Sequence, residues 1–140
     1  MKRSILLSIR GSQRYQDQEP DVIELVTEGT MEFADEGWNI CYQESELTGL
    51  AGVTTTFRVE RDRVILSRTG TLHSEMVFQE GVAHESLYRM EFGALMITVC
   101  AKRIWAQLDE NGGVIDLVYA IEIENSAAGE IDYHLTISPK

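Results

Sequence analysis

Apolar residues fall at every second position in about ten short segments between Ser4 and Ser138, and no stretch carries a helical period. Turns rich in Gly, Asn and Asp separate the segments. Because side chains in a strand alternate between its faces, each segment turns one face toward a shared interior. Closing such a sheet removes its exposed edges. The pattern therefore predicts an all-β fold, a closed antiparallel up-and-down (meander) barrel of about eight to ten strands.

The first segment sets Ile5, Leu7 and Ile9 against Ser4, Ser8 and Arg10. The Gln16-Asp17-Gln18-Glu19-Pro20 loop then ends pairing at its proline. In the second segment Ile23, Leu25, Thr27, Met31 and Phe33 oppose an acidic, solvated face of Glu24, Glu28 and Glu32. The third places Trp38, Ile40, Tyr42, Glu44 and Glu46 on one parity, so its inward phase carries acids into the interior. After the Gly49-Leu50-Ala51-Gly52 loop, a hairpin is expected from Thr54 to Glu60 and from Val64 to Gly70, turning at Arg61-Asp62-Arg63. Met76 and Phe78 form the apolar side of a short strand, followed by Ser86, Tyr88, Met90 and Phe92 on the next, which Gly93 closes. Leu95, Ile97 and Val99 are out of phase with Ile104, Ala106 and Leu108, which predicts a bulge near Ala101 or Lys102. Asn111-Gly112-Gly113 predicts a tight hairpin. A last turn is expected at Ala127-Ala128-Gly129, before a strand that points Ile131, Tyr133, Leu135 and Ile137 inward.

Several of these strands resemble one family in order and spacing. They are Trp38-x-Ile40-x-Tyr42-x-Glu44, Val64-x-Leu66-x-Arg68-x-Gly70, Met76-x-Phe78, Tyr88 with Gly93, and Ile115-x-Leu117-x-Tyr119. The chain is similar to the YwiB-like proteins, small bacterial proteins mainly of Gram-positive species. The resemblance implies a lipocalin-like (calycin) β-barrel in a cytoplasmic bacterial setting and supplies no catalytic residues, since the family has no assigned function.

At 140 residues the chain is read as one domain, 1–140, large enough to bury about 68–70% of its unfolded surface without metal or disulfides. The net charge of −11 argues against nucleic acid and anionic membrane as partners, because phosphate binding rests on Lys and Arg. Met1-Lys2-Arg3 followed by Ile5, Leu6, Leu7 and Ile9 superficially resembles a secretory signal. Ser4, Ser8 and Arg10 interrupt it, and it reads as the first strand. Cys41 and Cys100 lack C-x-x-C spacing and read as reduced, buried small hydrophobes, which makes the cytoplasm the default location. His73, His84 and His134 read as exposed residues at a turn, a loop edge and an outward strand face, so no metal site is expected. No phosphate-loop, dinucleotide or nucleophile-elbow motif is present, and no cofactor is expected.

Arg68 carries the chemistry. On the Val64–Leu66 face it either enters the barrel or is released by a local twist, and a buried guanidinium needs Glu44, Tyr42, Tyr88, Tyr119 or a ligand anion as partner. Two readings stand side by side: an internal Arg–Glu pair that holds the barrel's register, and a head group that binds a small, partly apolar, anionic ligand. Trp38, Tyr42, Met76, Phe78, Tyr88 and Tyr119 either line a cavity around that arginine or fill it. The alternative to ligand binding is a packed barrel acting as a homodimer through its outer face, with Leu6, Val26, Val77 and Val118 as outward candidates. An enzyme built on Glu44 with Tyr42 and Arg68 comes last, because pairing with Arg68 opposes the raised carboxyl pKa it requires.

Overall fold

The computed structural model describes residues 2–14, 19, 21–45 and 50–140. Ten strands follow one another: β1 (Arg3–Arg14), β2 (Asp21–Ala34), β3 (Gly37–Gln43), β4 (Val53–Val59), β5 (Val64–Gly70), β6 (Ser74–Phe78), β7 (Ala83–Met90), β8 (Gly93–Asp109), β9 (Gly112–Ile123) and β10 (Ser126–Pro139). The sheet order is β6-β5-β4-β3-β2-β1-β10-β9-β8-β7, every ladder is antiparallel, and the described residues include no helix. The expected meander barrel is present, with one refinement to its closure. The first and last strands pair continuously from Ile5–Pro139 to Arg14–Glu130, and the free edges belong to β6 and β7 in mid-chain. That seam is held at one end by reciprocal His73–Arg89 backbone hydrogen bonds of 2.9 and 2.8 Å, and at the other by the Gln79–Val82 turn.

Alternation sorts the side chains as the sequence predicts. Ile5 and Leu7 of β1, Ile40 of β3, Phe57 of β4, Val64 and Leu66 of β5, Ile115 and Leu117 of β9 and Leu135 of β10 are all buried to within 1% of completely. The bulge in β8 lies where the phase change requires it, between Ala101 and Arg103. Its freed backbone groups find partners in the β6–β7 turn: Gly81 N–H donates to the Ala101 carbonyl at 3.0 Å, and Ile104 N–H donates to the Glu80 carboxylate at 2.7 Å. Unpaired backbone groups are expensive, so this docking fixes the turn against β8.

Four local expectations need correction. Phe92 is 97% exposed at the β7–β8 turn and Met90 is also exposed, because the strand leaves the core beyond Tyr88. The last turn is Glu124–Asn125, both at positive φ, and the Ala127-Ala128-Gly129 stretch is a bulge within β10. The Asn-Gly hairpin turns on Glu110–Asn111, and the left-handed residue is Gly112 (φ 100°) instead of the asparagine. Cys41 and Cys100 are half-buried on the outward parity, not in the core. The Gln16–Gln18 stretch, Pro20, Glu46 and Gly49 lie outside the described residues.

The interior below mid-height is packed. Phe57, Leu66, Met76, Phe78 and Tyr119 belong to one buried cluster, in which the Tyr119 ring centroid stands 4.4 Å from that of Phe78. Burial pushes the Tyr119 phenol well above its ordinary 10.0, with neighbouring Tyr133 adding to the rise.

Two outcomes follow for stability. A Cβ at Gly112 would run into the Ile137 backbone carbonyl, so Gly112→Val should cost about 2–4 kcal/mol in urea unfolding, several times the loss for exposed Asn111→Val. Equal losses would contradict the β8–β9 register. Tyr119 stays neutral in the folded barrel while it ionises near 10.0 in the unfolded chain. Its stabilisation is thus complete below that pH and declines above it, by up to about 1.4 kcal/mol per pH unit. Tyr119→Phe should flatten the fall in unfolding free energy measured between about pH 9 and about pH 11.

Candidate functional site

A row of polar side chains crosses the inner wall, one from each of five successive strands. Tyr42 faces Thr55, Thr55 faces Arg68, and Arg68 faces Ser74 as Cα partners in the β3–β4, β4–β5 and β5–β6 ladders. The His73–Arg89 bridge then brings Ser74 opposite Tyr88 at the seam. This belt arises because each strand places a polar residue at the same level on the inward parity, two residues from an apolar one: Ile40, Phe57, Leu66, Met76. Tyr42 can take its place only because Gly29 lies behind it, where a Cβ would meet the Cys41 carbonyl and crowd the Cβ of Tyr42 at 3.2 Å.

Above the belt the barrel opens into a cavity of about 560 Å³. Tyr42, Glu44, Arg68, Tyr88 and Tyr133 supply polar lining at its inner end, and Ser12, Gln13 and Asp21 add to it from β1 and β2. Ile9, Leu25 and Ile131 form an apolar wall, and Val22 and Ile23 also line it while remaining about half exposed. Gly11 keeps space beside the Tyr133 ring, which an added Cβ would approach to 3.2 Å.

Arg68 is the centre of this end. Its side chain is 11% exposed, and its Nη2 donates to the Tyr133 hydroxyl at 3.4 Å. Its Nε lies 4.0 Å from Glu44 Oε2 and is buried without a hydrogen-bond partner. The Glu44 side chain is 2% exposed, and its Oε2 accepts the Thr55 hydroxyl at 2.6 Å. Glu44 is thus bonded to the wall, and it meets Arg68 through space more than through a hydrogen bond. Burial lowers the Arg68 pKa, but Tyr133, Tyr119 and Glu44 together outweigh it, and the guanidinium is held above its ordinary value. Burial likewise raises the Tyr42 phenol, reinforced by the charge and hydrogen bonding of Glu44. The cavity lining thus combines one guanidinium with the carboxyl groups of Glu44 and Asp21 and three tyrosine hydroxyls.

Of the residues singled out in the sequence, Tyr42, Glu44, Arg68 and Tyr88 come together around the cavity. Met76, Phe78 and Tyr119 do not line it; they fill the barrel beneath. Trp38 sits at the opposite end of β3, its ring centroid 5.0 Å from that of Phe33, in a separate depression of about 300 Å³ with Arg3, Met31 and Glu110. Tyr133 was legible as an inward residue of β10, but its place beside Arg68 was not, because β5 and β10 are neighbours only across the lumen.

Outside the cavity, His134 Nδ1 meets Asp116 at 2.8 Å on the outer face, His84 contacts Gln79, and His73 is exposed. Among the described residues no group of three His, Cys, Asp or Glu is placed to hold a metal ion. Leu6 and Val26 are exposed on adjacent strands β1 and β2, whereas Val77 and Val118 are half-buried on β6 and β9, so the four do not make one patch.

Comparison with known proteins agrees with this architecture. The family described as a domain of unknown function (DUF1934) matches residues 7–137. The uncharacterized β-barrel protein YwiB of Bacillus subtilis (strain 168) is 28% identical over 107 residues, which is 76% of this chain and 74% of that protein. The crystal structure of the ywiB protein from Bacillus subtilis superimposes with a TM-score of 0.89 at 24% identity, covering 99% of this chain and 93% of that one. The strand spacings that suggested YwiB-like proteins thus led to the right relatives, and the chain belongs to the DUF1934 family of uncharacterised β-barrel proteins.

Proposed function

We propose that this barrel binds a small, partly apolar, anionic molecule in the cavity above the polar belt. The observation that carries the reading is Arg68, a guanidinium 11% exposed that lines the cavity, whose hydrogen bond to Tyr133 is a long one of 3.4 Å and whose Nε has no hydrogen-bond partner. Buried donors in native proteins are nearly always paired, and an unpaired one forfeits its full desolvation free energy. An anion in the cavity would add an acceptor and a balancing charge where the guanidinium borders it. The cavity volume of about 560 Å³ falls within the range of small-molecule sites, and its lining mixes an apolar wall with polar groups. Glu44 stabilises Arg68 in the empty barrel, which keeps the guanidinium positioned between binding events.

Native mass spectrometry of freshly purified protein, followed by denaturation and small-molecule analysis, tests the proposal. The expected result is a retained anionic compound that Arg68→Ala loses and Arg68→Lys holds more weakly, since lysine cannot reproduce the planar array of donors. Wild-type protein without an adduct, and without a thermal shift on addition of anionic amphiphiles, would overturn it.

A further inference from the structure

We propose that the free edge of β8, at the end of the barrel away from the cavity, takes up an extended segment of a partner protein as an added antiparallel strand in which apolar residues alternate with acidic ones. This docking surface is separate from the cavity and does not rest on the binding reading above.

β8 is 17 residues long, but β7 pairs only with its first part, from Gly93 to Cys100. Beyond the bulge, the stretch from Ile104 to Asp109 has β9 on one side and no strand on the other. Two contacts fix the direction of its backbone groups. Ile104 N–H donates to the Glu80 carboxylate across the seam, and the Gln107 carbonyl faces β9, where it would meet a Cβ added to Gly113. Backbone direction alternates along a strand, so Ala106 and Leu108 turn both N–H and carbonyl to the open side. Neither bonds a described residue there. Natural edge strands are blunted by a charge, a proline or a bulge. On β8 the bulge and Lys102 come earlier, and Ile104-Trp105-Ala106-Gln107-Leu108 carries neither charge nor proline.

This edge borders a cleft of about 510 Å³ whose far wall is the β4–β5 turn. Val59, Val64, Ile104 and Ala106 form its apolar lining, and half-exposed Trp105 stands at its side. A row of alternating backbone donors and acceptors is complemented by another extended backbone. A lone segment suits the cleft better than a second copy of the chain. A whole barrel would bring its own β4–β5 turn into the same space, and its net charge of −11 against an equal one.

Charge sets the outward residues of the segment. Residues opposite Ala106 and Leu108 share their inward parity, so those between them point outward, on the parity of Arg103, Trp105 and Gln107. The acids that line the cleft are engaged already: Glu60 with Arg58 at 2.9 Å, Asp62 with Arg63 at 3.4 Å, and Glu80 with Ile104 N–H. Arg61 in the β4–β5 turn and Arg103 on β8 have no such partner among the described residues. Carboxylates on the outward positions would meet these two guanidinium groups.

Isothermal titration of the full chain with an acetylated, amidated heptapeptide alternating glutamate and valine tests this. The same peptide N-methylated at its valines should bind at least about tenfold more weakly, because those amides face Ala106 and Leu108, whereas N-methylation at the glutamates should leave binding within about threefold. Ala106→Pro should weaken the unmodified peptide about tenfold with little change in melting temperature, since the Ala106 N–H lies outside the β8–β9 ladder. Arg61→Ala combined with Arg103→Ala, or exchange of the glutamates for lysines, should weaken binding about fivefold. Equal binding of the two methylated peptides, undiminished binding by Ala106→Pro, or no uptake of the parent peptide would overturn the inference. Tighter binding of the lysine peptide would overturn the acidic partner. A wild-type dimer that Ala106→Pro dissociates in sedimentation, with no peptide bound by either form, would overturn it in favour of a second copy. Should Ala106→Pro not fold, the two methylated peptides on wild type decide.

Discussion

A guanidinium inside a β-barrel must be compensated, and the upper half of this protein is arranged around that requirement. Moving an unpaired charge into a low-dielectric interior costs several kcal/mol, far more than any one apolar contact returns. Arg68 is therefore accompanied by a carboxylate, Glu44, that is itself bonded to Thr55 on the intervening strand β4, and by the Tyr133 hydroxyl from across the lumen. Each partner brings a steric condition. Tyr42, beside Glu44, seats over Gly29, and Tyr133 packs against Gly11. The compensation is incomplete at Nε, which lies 4.0 Å from Glu44 without a hydrogen bond, and Arg68 borders the cavity.

Closure supplies the frame in which such a belt can exist. Pairing β1 with β10 fastens the chain ends together and leaves the seam between β6 and β7, two strands joined by a tight turn. The turn does not hang free. Glu80 and Gly81 satisfy backbone groups released by the β8 bulge, so the irregularity of one strand becomes the anchor of another. Two of the three buried hydroxyl or guanidinium atoms without partners, on Ser74 and Ser86, belong to the seam strands, where the ladder between the His73–Arg89 bridge and the turn is interrupted. Among the described residues the barrel is thus best satisfied where its sheet is continuous, and less so along the seam.

Strand parity was legible throughout. The inward placement of Ile5, Leu66, Leu117 and Leu135, the burial of Glu44 and Arg68, and the bulge at Lys102 all follow from alternation, which requires only the chain's own two-residue period. Turn chemistry was harder to read. Asn111-Gly112 satisfies a type I′ hairpin and equally a longer turn that ends on a left-handed glycine, and only the β8–β9 register selects the second. Asp35–Glu36 and Glu124–Asn125 adopt positive φ at both positions although only Asp35 and Asn125 are types that visit the left-handed region, because the strands on either side impose the geometry.

By itself the amino-acid sequence determined that the chain is an all-β meander with a greasy lining, an acidic exterior and one interior arginine. Each of those is a property of neighbours along the chain. Tertiary structure alone decided that Tyr133 meets Arg68, that Met76, Phe78 and Tyr119 fill the barrel while Tyr42 and Tyr88 border open space, and that Trp38 stands at the far end. Those outcomes depend on the level each inward side chain reaches around the barrel. That level is set by strand registers and closure, interactions between segments distant in sequence, which alternation within a segment does not encode.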